Sequence, residues 1–208
     1  MVKKLFRKLR SRFRQKRYAV IIDQMQLEKV SGFVLDLGGG PASFFAEKYP
    51  KQEEVILVEI KPDAAYRAKA KIPDINVIIA DAENLPLANK SVALTVCNSV
   101  IEHVADPDAL AAETQRVSKN FFLQTPNGHF PLETHSYIAI PFFNWLPGPT
   151  AKKAACALFG ANFEYVQSVR YLSEARLRKL FPNATIAYER FLLMKKSFYL
   201  YEKSGKVQ

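Results

Sequence analysis

Two hydrophobic periods alternate along this chain. Val2, Leu5, Phe6, Leu9 and Phe13 recur at helical spacing, with Lys or Arg at most positions between them, which predicts a basic amphipathic helix over residues 1–17. Tyr18 to Val30, apolar at 20, 21, 22, 25, 27 and 30, reads as a second helix packed on the domain that begins at 18. Short runs of β-formers follow: Phe33 to Leu37, Glu54 to Ile60, 76–80, 92–97, Asn120 to Thr125, Thr185 to Leu193 and Ser197 to Glu202. Helical patterns separate most of them. Ser43 to Tyr49 is one; Asp63 to Lys71, stopped by Pro73, is another. A third opens at Asp106-Pro107 and runs through Val117, and a fourth, Glu174 to Phe181, has Ser173 as its N-cap.

Alternation of this kind predicts an α/β fold, a mostly parallel sheet with right-handed crossovers and helices on both faces. The last two strands are joined by Met194-Lys195-Lys196 and read as a hairpin. The rhythm lapses between 126 and 168, where no clean strand is predicted. Five of the chain's 12 prolines (126, 131, 141, 147 and 149) lie there, interleaved with Phe130, Tyr137, Phe142, Phe143 and Trp145, and Ala151 to Phe159 reads as an apolar helix. Residues 126–168 are therefore expected to be an insertion covering the substrate, within one domain spanning 18–208.

The formal charge of +10 changes meaning once it is located. Residues 1–17 hold nine Lys/Arg and no acid; the rest holds 21 basic and 20 acidic residues. The basicity belongs to a tail. Its pattern fits an anionic membrane surface, apolar side chains inserted and cations near the headgroups. An RNA-binding arm, a partner helix, a mitochondrial transit peptide and a solubilising terminus share that composition. No apolar run reaches the roughly 18 residues of a membrane span, and no secretory h-region follows the charges. The expected location is cytoplasmic, with a peripheral position on the inner face of a membrane if the tail docks there. Cys97 and Cys156 read as buried reduced thiols.

Candidate chemistry gathers at the predicted C-terminal strand ends. Val34-Leu35-Asp36-Leu37-Gly38-Gly39-Gly40 reads as strand, glycine turn, helix, which brings backbone close to a nucleotide-like ligand. No Gly-Lys-Ser/Thr follows, which argues against a P-loop. Glu59, 21 residues after Gly38, ends the second strand where a carboxylate can accept from ribose hydroxyls. The third strand ends in Asp81-Ala82 and the fourth in Asn98 to His103. An NAD-binding fold would match the glycines and Glu59 but leaves the last two clusters without a role.

With these parts the chain resembles the class I S-adenosylmethionine-dependent methyltransferases, most closely the small bacterial methyltransferase-11 type, over about residues 30–203. The resemblance implies a Rossmann-like seven-stranded sheet with an antiparallel last strand, and S-adenosyl-L-methionine as cofactor. It also implies that Gly38, Gly39 and Gly40 lie against the methionine part and that Glu59 holds both ribose hydroxyls. Asp81 and Ala82 would address adenine, with Asp36, Ile60 and Asn98 completing the binding set. Ala42 stands where a further loop glycine is often found, and alanine is small enough to leave binding intact.

Acid/base candidates lie in the insertion, in Phe130-Pro131-Leu132-Glu133-Thr134-His135. Similar small methyltransferases carry a Phe-Pro-x-Glu-x-His stretch followed by Trp-Leu-Pro, here Trp145-Leu146-Pro147. His135 is the favoured base or orienting group, then Glu133, with His103 bordering donor and acceptor. Hydrogen bonds that merely hold the insertion would use the same residues. No metal is indicated: His129-x3-Glu133-x-His135 lacks a zinc spacing, and Asp106 and Asp108 suit a helix start. The acceptor is expected to be a small molecule, a lipid or a lipid-linked glycan, methylated on oxygen. The competing readings are an RNA methyltransferase using the tail and a non-catalytic cofactor-binding protein. Nucleic acid is disfavoured because the fourth strand lacks an Asn/Asp-Pro-Pro-aromatic motif and neither cysteine follows a proline.

Overall fold

The computed structural model describes residues 2–133 and 140–203. Its first element, α1 (Val2–Met25), is a single 24-residue helix. The boundary expected at 17/18 does not interrupt it. No Gly or Pro stands between Val2 and Met25, so nothing in the chain ends the helix there. It stops at Gln26, which adopts a left-handed conformation, φ 48°. Among the described residues, no helix is long and apolar enough to cross a membrane.

The α/β alternation then proceeds through β1 (Val34–Leu37), α2 (Phe44–Lys48), β2 (Val55–Glu59), α3 (Pro62–Lys71), β3 (Asn76–Ile79) and β4 (Val92–Asn98). It continues with α4 (Pro107–Val117) and β5 (Ser118–Pro126). The insertion holds a short ribbon of β6 (Leu132–Glu133) and β7 (Ile140–Pro141), then α5 (Gly148–Phe159) and α6 (Phe163–Ser168). The chain closes with α7 (Glu174–Leu180), β8 (Thr185–Phe191) and β9 (Met194–Glu202). Seven strands form one sheet in the order β3-β2-β1-β4-β5-β9-β8. The first five are mutually parallel, and β9 runs antiparallel to both β5 and β8.

Period-two alternation sorts the sheet's side chains into two layers. Leu35, Leu37 and Leu123 face α4 and α7, meeting Leu110, Val117, Leu177 and Phe181. Val34, Leu57, Val96 and Phe122 face the other way, onto Ile21 and Met25 of α1 and onto Phe45 and Ala68. Each fully buried Leu or Phe contributes about 1.5–3 kcal/mol, so this doubly covered sheet supplies the rigid platform for the site. The insertion has a small core of its own, in which Phe143, Cys156 and Val166 are buried together.

Two local readings are corrected. The hairpin turn is not Met194-Lys195-Lys196: Phe191 pairs with Met194, so Leu192-Leu193 is the turn and β9 begins three residues earlier than expected. Apolar Leu192 and Leu193 mimic strand residues, and the turn carries none of the usual Gly or Asn signals. Helix α6 was not predicted; its start is set by Asn162, whose side chain accepts from Tyr165 N.

Candidate functional site

The cofactor candidates lie at the C-terminal ends of four adjacent parallel strands. Asp36 lies in β1 and Gly38 to Gly40 follow it, Glu59 ends β2 with Ile60 next, Asp81 and Ala82 follow β3, and Asn98 closes β4. In open α/β sheets this edge is where ligands bind.

The glycine loop is shaped by its neighbours. Gly38 donates its N–H to Val58 O at 2.8 Å, which carries the β1–β2 ladder one step past the strand. Gly38 and Gly40 hold φ of +67° and +70°. A Cβ on Gly38 would lie 2.7 Å from Val100 Cγ2, one on Gly39 would overlap the Asp36 carboxylate, and one on Gly40 would meet nothing within 4 Å. Two glycines are thus demanded by the protein's own packing, and the third leaves open space beside half-buried backbone. Ser43 links loop to helix: its hydroxyl donates to Asp36 Oδ2 and accepts from Ala46 N as the N-cap of α2.

Asp36 is buried, and burial pushes its carboxyl up to about 6 against the opposing hydrogen bond from Ser43. A folded-state value raised above the unfolded 3.8 means that the native state holds the proton longer than the unfolded chain does. Asp36 therefore contributes stability that is full below pH about 4 and is lost as pH rises through about 6, some 2–3 kcal/mol in total. Denaturant unfolding between pH 4 and 7 should show that loss in the wild type and a flatter profile in Asp36→Asn.

The neighbouring strand ends are braced as well. Glu59 Oε1 accepts from Lys61 N at 3.0 Å. Asp81 Oδ1 accepts from Glu83 N at 2.9 Å, and Ile60 is exposed. Glu83 Oε1 reaches across to accept from Ala105 N (2.7 Å) and Asp106 N (3.0 Å), tying the loop after β3 to the start of α4. Arg116 of α4 donates to Leu85 O and Leu87 O, and its partner Glu113 accepts from Leu85 N. After β4, Ser99 takes a positive φ of 58° and bonds Gln124 twice, through N–H to O and through Oγ to Oε1. Strain in a non-glycine residue beside a binding edge marks a loop shaped by its surroundings.

The sequence reading left α1 out of the site. A cleft between α1 and the glycine loop is lined by Arg14, Arg17, Tyr18, Asp36, Gly39, Ser43 and Asn98. Arg17 Nη1 donates to Asn98 Oδ1 at 2.7 Å, so one predicted cofactor residue is already held by the helix. The same guanidinium meets Glu189 Oε2 at 3.4 Å through Nη2. Glu189 Oε2 also accepts from Lys196 Nζ (2.5 Å) and Ser197 Oγ (2.9 Å). All three ionic side chains are nearly buried, with 12% of Arg17, 5% of Glu189 and 10% of Lys196 exposed. Burial pulls the Glu189 carboxyl up, but the Arg17 and Lys196 charges and the hydrogen bonds from Lys196 and Ser197 outweigh it and hold it below the carboxylate range. The signal in the sequence was the apolar stripe, which passes through residue 17 into Tyr18, Ile21 and Met25 without a breaker.

Of the three catalytic candidates, His103 is the one whose side chain lies among the described residues. His103 is exposed, its ring stacked on Tyr165 of α6 with centroids 5.9 Å apart. Its neighbour Glu102 is buried, accepting from Thr125 Oγ1 at 3.0 Å and, through its carbonyl, from Arg170 N. Sequence reasoning named Glu102 only as part of a motif. Glu133 lies in β6, and His135 lies outside the described residues. Trp145 and Phe142 of the insertion pack on each other at 5.3 Å, both more than half exposed, while Phe143 is buried.

Residues 35–121 match a family described as a methyltransferase domain. The chain is 35% identical over 86 residues to an uncharacterized methyltransferase of Mycobacterium sp. (strain JLS), covering 41% of this chain and 34% of that one. It is 26% identical over 124 residues to a demethylmenaquinone methyltransferase of Paenarthrobacter aurescens (strain TC1), covering 60% and 46%. It thus spans less than half the length of these relatives. Among solved structures, magnesium protoporphyrin IX methyltransferase of Synechocystis PCC 6803 with bound SAH superposes with TM-score 0.61 at 16% identity, over 97% of this chain and 86% of that one. A possible histamine N-methyltransferase of Thermotoga maritima gives 0.57 at 16%, over 97% and 98%. These likenesses carry the fold, which is that of the S-adenosylmethionine-dependent methyltransferases.

Proposed function

Since residues 35–121 match the methyltransferase domain family and the chain takes its fold, we propose that this protein transfers a methyl group from S-adenosylmethionine to a small-molecule, lipid or glycan acceptor, at oxygen. The observation that carries the reading is the glycine loop: packing that forbids a Cβ at Gly38 and Gly39, with open space at Gly40, leaves a backbone cradle that a nucleoside-bearing ligand can approach. When bound, the cofactor supplies a sulfonium methyl group open to in-line attack.

The chain's own residues then divide the remaining work. Gly38 to Gly40, with Asp36 and Asn98 beside them, would hold the methionine end; Glu59 and Ile60 would hold the ribose, and Asp81 and Ala82 the adenine. Arg17 would fix the Asn98 amide by its hydrogen bond. The insertion over 126–168 would cover the acceptor and exclude water, a requirement of orientation more than of acid/base power. An acceptor hydroxyl must lose its proton, and the His135 imidazole is the proposed recipient, with Glu133 orienting it and His103 at the rim. Residues 1–17 are the proposed contact with an anionic membrane.

Calorimetric titration with S-adenosylmethionine and, separately, NADH tests the reading. Micromolar binding of the first alone is expected, and transfer of a labelled methyl group to a hydroxyl-bearing acceptor in extract should follow. Failure to bind S-adenosylmethionine would overturn the assignment.

A further inference from the structure

The β8–β9 hairpin is built against its own turn chemistry. A two-residue connection favours Gly, Asn or Asp because at least one position needs positive φ. Here both residues are leucine, and Leu192 holds φ of 54°. Neither side chain is buried within the chain: Leu192 is 78% exposed and Leu193 92%. Packing within the described fold therefore does not explain the choice.

Two cations lie beside the tip, one of them already paired, since Lys195 Nζ meets Glu174 Oε2 at 3.3 Å. Arg190 and Lys195 flank it, with the Lys195 ammonium 3.8 Å from the Tyr188 ring centroid. Phe191, at the base of the turn, meets Phe13 of α1 edge to face at 5.7 Å, and the Lys196 ammonium lies 4.3 Å from the Phe13 ring centroid. The tip and α1 are thus one surface. From Phe13 the helix continues about 16 Å to Val2 at the usual rise. Residues 1–17 carry nine cations and no acid.

We propose that the Leu192-Leu193 tip and the basic half of α1 together dock on an anionic lipid bilayer. The leucines enter the boundary between headgroups and acyl chains, and the helix lays its cations against lipid phosphates. Charge complementarity selects the anionic surface, and the exposed aliphatic pair selects lipid over RNA, which asks for cations and stacking aromatics. Ser197 pairs with Pro126 at the C-terminal end of β5, so the tip stands at the sheet edge that carries the candidate site. On the methyl-transfer reading, an apolar acceptor would reach that site from the bilayer.

The experiment is flotation of the full chain with vesicles of phosphatidylcholine alone and of phosphatidylcholine with phosphatidylglycerol, at low and high salt. The variant carries Leu192→Gly and Leu193→Ser, a favoured turn pair, so its melting temperature should be unchanged or higher. Wild type should bind the anionic vesicles only, less at high salt, and the variant about tenfold or more weakly. Equal binding by the two proteins would overturn the docking role of the leucines. So would wild type that ignores both vesicles, wild type that retards a labelled RNA instead, or a leucine-dependent dimer on size exclusion. S-adenosylmethionine titration of both proteins keeps this failure apart from that of the methyl-transfer reading: lost docking with intact donor binding strikes the docking alone.

Discussion

Glu59→Ala should bind S-adenosylmethionine on the order of a hundredfold more weakly than wild type while unfolding within about 0.5 kcal/mol of it. The proposed role of Glu59 is to accept from two ribose hydroxyls. Hydrogen bonds to a charged acceptor contribute about 1.5–3 kcal/mol each, and water that replaces the carboxylate recovers part of the two, which leaves a loss of about 3 kcal/mol of binding. The fold has less at stake: the side chain is half-buried at a strand end and accepts from Lys61 N. Glu59→Gln, which keeps one acceptor, should fall between. Titration calorimetry of the three proteins reads the affinity and denaturant unfolding reads the fold. A Glu59→Ala protein with wild-type affinity would remove the ribose anchor from the proposed site.

Glu189→Gln should have the opposite signature, a loss of stability of about 3 kcal/mol. Glu189 is the one carboxylate between two nearly buried cations, Arg17 and Lys196. Taking away its charge leaves two like charges facing each other out of water, whereas taking away either cation leaves a neutral pair. Arg17→Gln and Lys196→Gln should therefore each be milder than Glu189→Gln. The pH dependence has a definite sign. The carboxyl is held below its usual 4.5 in the fold, so its stabilisation is present above that value and is lost as pH falls through the lower native one. The acid limb of the wild-type stability curve should shrink in the glutamine variant, measured by urea unfolding from pH 3 to 7.

The two predictions separate what the sequence discloses from what it hides. Short-range signals were legible. Asp36 to Gly40 announces a strand-turn-helix junction, Ser173 caps the helix it was expected to cap, Ser43 and Asp106 cap helices that were expected to start at them, and β-formers at regular intervals spell the sheet. The candidate cofactor residues could be named because they follow strands, and strand ends are local events. Arg17 belongs to another class. Its partners, Asn98 and Glu189, are chosen by where α1 crosses the edge of the sheet, which depends on strand order and not on any motif near residue 17. The charge pattern also misled: nine cations in a row of seventeen residues look like a detached arm, although the last of them is nearly buried. The Leu192-Leu193 turn was misread because its residues are poor turn formers, and only the register of β8 against β9 reveals it.

The reach of Arg17 also sets an order of assembly. Asn98 lies 81 residues downstream and Glu189 172. On a ribosome the helix is made before the sheet that seats it, and it can form early because helices need only local contacts. Its seat is finished only when the hairpin carrying Glu189 and Lys196 emerges, after the strands that lie between. Until then the nascent chain carries a basic amphipathic helix whose seat is incomplete, at a time when unfinished domains are most prone to stick to one another. Helix α1, made before the sheet, is thus fastened after it, and β8 and β9 act as the clasp.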